Sequence, residues 1–180
     1  YTTLSIKYFK KMKLKVNFIS KLSKAKTLNE IVFVKNKKIK SKNLISILKP
    51  VLDNKLFQDR LFYQKEYKNK NYIFINCKKL IKSSDYENIG SKLYDYLSNN
   101  KIDNCYIDTN NIDINNLQLE KTIHGSKLKS YNFDIYKSDN KKNKNINLYV
   151  VGNKTANSNI IRKKLDALLD GVFFTRDLVS

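Results

Sequence analysis

Two rhythms of apolar and polar residues run along this chain. The first appears at Lys13, where Leu14, Val16 and Phe18 alternate with Lys13, Lys15 and Asn17. A period of two marks a half-buried strand, because successive side chains of an extended backbone point to opposite faces. A β-branched apolar run bounded by charge at residues 30–35 predicts a second strand. The rhythm then lengthens. Leu44, Ile45, Leu48 and Leu52 recur at helical spacing, with Ser41 placed as an N-cap. Pro50 ends or kinks that helix nearby, since proline has no amide hydrogen to donate. Leu61-Phe62-Tyr63 reads as a strand, residues 68–71 as a basic turn, and residues 72–77 as the clearest buried strand of the chain.

The second half repeats the alternation of element types. Ser84 or Asp85 is placed to cap a helix through Ile89, Leu93, Tyr96 and Leu97 that ends at Asn99-Asn100. Residues 105–108 read as a short strand. A helix over residues 114–128 carries Ile114, Leu117, Ile123 and Leu128, with Gly125 loosening it near its end. The charged run 137–144 reads as a surface loop, and residues 147–151 as a further strand. Ser158 is placed to cap a last helix with Ile161, Leu165, Leu168, Leu169 and Val172 on one face. Strands that alternate with helices predict an α/β fold, a mixed sheet flanked by helices. The expected organisation is a compact domain over residues 12–151, followed by a connecting helix over 152–180. Tyr1 to Lys11 precede Met12, the only methionine, and read as an irregular or non-native leader.

Composition narrows the class. With 41% hydrophobic and 12% aromatic residues in 180, the chain can bury a real core. Its mean hydropathy of -0.55 and the lack of an apolar run near the roughly 20 residues of a membrane helix argue against a membrane protein. Cys77 and Cys105 stand singly in apolar segments and read as buried thiols of a reducing compartment. The net charge of +20 raises the question of a polyanionic partner. The excess is almost wholly lysine, spread along the chain, with arginine only at positions 60, 162 and 176. Abundant Lys, Asn, Ile and Tyr beside scarce Ala, Pro and Gly is the mark of an AT-rich coding sequence. Compositional drift is therefore the preferred reading, with weak nucleic-acid binding as the alternative.

Candidate chemistry is sparse. His124 is the sole histidine, in His124-Gly125-Ser126, and reads as a helix-end residue rather than a catalyst. No Gly-rich phosphate loop and no nucleophile elbow occur. Asp108 to Asp113 has the look of a calcium loop, but an EF-hand needs Gly at position six and Glu at twelve, where Asp113 and Leu119 stand. A polar turn is the better reading. Aromatics interleave with lysines from Phe57 to Tyr72, a pattern that serves single-stranded nucleic acid or merely a strand with one buried face.

Two segments carry more. Residues 123–138 hold Gly125, Leu128, Tyr131, Phe133, Tyr136, Lys137 and Ser138 in the spacing G-x-x-L-x-x-Y-x-F-x-x-Y-K-S. Residues 171–180 hold Gly171, Arg176, Asp177, Leu178 and Ser180 in the spacing G-x-x-x-T-R-D-L-x-S. Both segments, in this order and with one loop, one strand and one helix between them, resemble signatures of the leucyl aminopeptidase (cytosol aminopeptidase) family, N-terminal domain. His124 departs from the family's usual Glu, and Thr175 from its Ala. The resemblance implies a small, macro-domain-like α/β domain whose signature residues pack rather than catalyse. It further implies a parent enzyme whose larger domain binds two divalent metals, zinc or manganese, to clamp a substrate and activate water. Such an enzyme removes N-terminal residues such as leucine from peptides and works as a cytoplasmic homo-hexamer. Every catalytic and metal-binding residue of that family lies beyond these signatures, so none is assigned here, and the fragment alone is expected to be inactive.

Overall fold

The computed structural model describes residues 12–22, 29–35, 41–52, 59–78, 82–131, 145–152 and 159–179. These form six strands, β1 (Leu14–Ile19), β2 (Asn29–Val34), β3 (Phe62–Tyr67), β4 (Lys70–Asn76), β5 (Asn104–Asp108) and β6 (Ile146–Val151). The described helices are α1 (Lys42–Leu52), α2 (Ser83–Asn99), α3 (Asn116–Ser130) and α4 (Asn159–Val179). The strands make one sheet in the order β1-β6-β5-β2-β4-β3, parallel except for β3. The expected α/β class and mixed sheet are both present. The hairpin from β3 to β4 turns at Lys68 and Asn69, both at positive φ (49° and 58°), as a tight turn matched to the strand twist requires.

The central strands are apolar on both faces because helices cover both. On β2, Ile31 and Phe33 pack towards α2 and α3 while Val32 and Val34 meet α1; on β4, Ile73 and Ile75 do the former, Tyr72 and Phe74 the latter. α1 buries Leu44, Ile47, Leu48 and Val51, whereas Ile45 is 46% exposed, so its apolar face is turned slightly from the expected one. Pro50 lies inside the last turn, and the helix ends two residues on.

α2 starts earlier than the expected caps. Asp85 occupies the third helical position and its carboxylate accepts the Lys82 N–H at 2.8 Å, satisfying a donor that the helix itself leaves open. α3 starts later. Asn115 and Gln118 cap each other's backbone N–H at 2.9 and 3.0 Å, a reciprocal capping box. Ile114 therefore lies just outside the helix, and Leu117 is exposed. α3 is wedged among the sheet, α2 and α4, and it buries Leu119, Glu120, Thr122, Ile123, His124, Ser126 and Lys127.

Gly125 does not loosen α3. It lets α2 cross closely: a Cβ there would stand 2.7 Å from the Glu87 carbonyl carbon. Gly90 mirrors it on α2, where a Cβ would lie 2.8 Å from the Ser126 nitrogen. The Ser126 hydroxyl donates to the Gly90 carbonyl at 2.8 Å, stitching the crossing. The loop expected over 137–144 and the Ser158 cap fall outside the described residues, as do residues 1–11.

Candidate functional site at the junction of α3 and α4

The two signature segments meet in space. The Tyr131 hydroxyl donates to the Asp177 carboxylate, across 46 residues of sequence. The Tyr131 ring stacks on Phe173 with centroids 4.2 Å apart, and Arg176 donates to the Leu128 carbonyl at 3.4 Å. Tyr131, Leu169 and Phe173 form a small apolar cluster with Met12 and Leu128 against it. Gly125, Leu128, Tyr131 and Arg176 also line a cleft of about 480 Å³ together with Glu87 and Lys129. Leu178 is 69% exposed and takes no part. Phe133, Tyr136 and Lys137 lie outside the described residues.

Further along, ion pairs pin α4 to α3. Arg162 Nη2 donates to Glu120 at 2.8 Å, and Lys127 Nζ to Asp166 at 2.7 Å. Glu120 and Lys127 are buried. The interface is thus a short apolar seam of Leu165, Leu169 and Phe173 flanked by charge pairs. Its chemistry is that of positioning one helix on another.

His124 lies in the middle of α3 rather than at its end, and it is buried. Its Nε2 is 4.0 Å from the Glu87 carboxylate, which also holds Lys121, while its Nδ1 has no hydrogen-bond partner among the described residues. Burial lowers its pKa below 6.5, aided by Lys121 and Lys127 and opposed by Glu87 and Asp166. The unfolded chain then takes up a proton more readily than the folded one. Stability is held above about pH 6.5 and falls as pH drops towards the depressed folded value. We expect urea midpoints to decline from pH 7.5 to 5.5, and His124→Phe to flatten that decline. An unchanged slope in the variant would assign the effect to other groups.

Both cysteines are buried, and burial pushes each thiol up to about 12. Thiolate is the reactive form. Iodoacetamide at pH 8 should therefore leave the folded chain unlabelled and modify Cys77 and Cys105 once urea unfolds it. Rapid labelling of the native chain would contradict this.

A second polar region lies where the connections diverge. β2 leads to the β3–β4 hairpin on one side and β5 to β6 on the other, so the carboxyl ends of β2 and β5 bound the switch point at which α/β sheets tend to bind ligands. There the Asp113 carboxylate accepts the Lys35 N–H at 3.0 Å, and Lys35 Nζ donates to the Tyr86 hydroxyl at 3.0 Å. The bond to Tyr86 raises the Lys35 pKa and keeps the ammonium charged, unfit to act as a base. Asp108 accepts from the Asn110 N–H and the Asn111 amide, which makes this stretch a polar turn. Sequence reading also missed Glu30, a buried carboxylate on β2 held by Lys70 at 2.6 Å and by the Tyr106 hydroxyl at 2.6 Å. Its only sequence signal is a charge heading an apolar run.

Among the described residues no three His, Cys, Asp or Glu side chains converge as a metal site would require, and no helix is long and apolar enough to cross a membrane. No protein-family model matches the sequence, and no curated protein does either. A solved structure of a mutant tomato leucine aminopeptidase matches the fold with a TM-score of 0.60 at 13% identity. The match covers 92% of this chain and 38% of that one, so this chain spans well under half the length of the aminopeptidase it resembles. The described architecture, a six-stranded and mostly parallel sheet between helices, is thus a fold shared with part of leucine aminopeptidase.

Proposed function

We propose that this chain is the small, non-catalytic N-terminal domain of a metal-dependent leucyl aminopeptidase that releases N-terminal residues from peptides. The observation that carries the reading is the contact between the two signature segments, Tyr131 with Asp177 and Arg176 with Leu128. Segments picked out independently by resemblance would have no reason to touch unless the signature describes one packing unit. The shared fold with an aminopeptidase adds support. In this reading residues 12–151 are the domain proper and 152–180 the connection towards the catalytic part. Two manganese or zinc ions belong to that larger part, as the resemblance to the family implies. Assembly as a cytoplasmic homo-hexamer belongs to the same proposal.

The test has two arms. Purified residues 1–180 should not hydrolyse a leucyl amide with manganese added, and reading the coding DNA past the Ser180 codon should reveal a second, larger domain with clustered Lys, Asp and Glu. Turnover that follows this chain through purification, or a stop codon directly after Ser180, would overturn the proposal. In the second case the net charge of +20 makes a basic nucleic-acid-binding module the better reading.

A further inference from the structure

β1 is the edge of the sheet and pairs only with β6 among the described residues. The Ile146 N–H donates to the Lys13 carbonyl at 2.8 Å, and the Gly152 N–H to the Ile19 carbonyl at 3.0 Å. Odd-numbered backbone groups therefore face β6. Leu14, Val16 and Phe18 consequently turn their N–H and C=O groups away from the sheet. Exposed edges are usually blunted by a proline, a bulge or a covering element. β1 runs through six paired residues with neither proline nor bulge, and no described strand covers its outer side.

Beside this edge lies a groove of about 690 Å³ between β1 and the first half of α4. Met12, Val16 and Phe18 line its strand wall, and Arg162 and Asp166 of α4 with Lys127 of α3 its helix wall. That helix wall is rigidly held: Arg162 stacks 3.4 Å from the Phe18 ring centroid while binding Glu120, and Lys127 is paired with Asp166. Arg162 and Lys127 are each matched by a carboxylate, Glu120 and Asp166, so the charge this rim offers a ligand is that of Lys15, on a chain of charge +20.

We propose that this edge accepts an extended acidic peptide segment as an additional strand. Leu14 is only 3% exposed, so the segment's main chain would bond to the outward groups of Val16 and Phe18, the mode in which backbone bonds give affinity and alternate side chains give specificity. Apolar side chains of the segment would enter the groove beside Val16, and its carboxylates would face Lys15. The proposal does not depend on the aminopeptidase reading.

The probe is a labelled, end-blocked heptapeptide alternating glutamate with valine, titrated into the 180-residue chain by fluorescence polarisation. Saturable binding is expected, weakening as salt rises. Val16→Pro removes one outward amide hydrogen yet leaves the ladder to β6, since edge positions tolerate proline. It should weaken binding at least tenfold. The same peptide N-methylated on alternate amides should also fail against the unaltered protein, which keeps the test decisive if Val16→Pro does not fold. Absent saturation, or binding indifferent to N-methylation, overturns the proposal. Equal binding of a lysine–valine peptide overturns the acidic specificity. A dimer in sedimentation that Val16→Pro disperses assigns the edge to a second copy of the chain instead, and likewise overturns it.

Discussion

Replacing Gly125 with alanine should destabilise the chain by about 3 kcal/mol, at the upper end of what overpacking a tight core costs. The added Cβ would stand 2.7 Å from the Glu87 carbonyl carbon, and the obstacle is backbone in the second turn of α2, which cannot rotate aside. In a domain of this size that loss lowers the melting temperature by roughly 10 °C. Helix propensity alone predicts the opposite sign, since alanine is better than glycine in a helix by about 1 kcal/mol. Gly171 supplies the control. It lies within α4 with nothing within 4 Å of an added Cβ, so Gly171→Ala should raise stability by up to about 1 kcal/mol. Urea unfolding of the two variants side by side checks both. If Gly125→Ala matched or exceeded the original stability, the close crossing of α2 and α3 would be wrong.

This contrast bears on how far the sequence could be read. The order of the elements was legible because β1 keeps a strand rhythm, β2 is a short β-branched apolar run, and α1, α2 and α4 keep a helical spacing. α3 was only half legible. A helix covered on several sides loses its single apolar stripe, so the apolar spacing included Ile114, which is buried but precedes the helix, and Leu117, which is exposed. Its true start is written in polar residues, Asn115 and Gln118, which an apolar pattern ignores. Gly125 looked like a weak point because, in sequence, a glycine inside a helix signals lost propensity; only the fold reveals the helix that needs the space. Strand order was not legible at all, since pairing β5 with β2 and β6 with β1 depends on crossovers that no local pattern encodes.

The residues of the candidate site were picked out by resemblance and not by physics. Nothing local to Tyr131 or Asp177 announces that a phenol and a carboxylate so distant in sequence will meet. The charge pairs between α3 and α4 were missed for the same reason. Nothing in the sequence singles out Glu120, although it is only 2% exposed. A buried carboxylate becomes visible only when the arginine that offsets its desolvation is in view.

That arginine gives the other large expected effect. Arg162→Met should cost about 3–5 kcal/mol, because it leaves the Glu120 carboxylate buried without its main cation. The thioether keeps some of the stem's packing against Phe18, so the loss reports mainly on charge. Adding Glu120→Gln to that variant removes the buried charge and should restore much of the stability, although either substitution alone is destabilising. A double-mutant cycle built from urea midpoints would give a coupling far above the ~0.5 kcal/mol expected of independent sites. A coupling near zero would mean that Arg162 and Glu120 act as separate solvated charges, and α4 would then be held only by Leu165, Leu169 and Phe173. Strong coupling would instead make the ion pair the fastener of α4. The arginine that stacks on Phe18 and builds the groove beside β1 would then also anchor the helix that brings Asp177 to Tyr131.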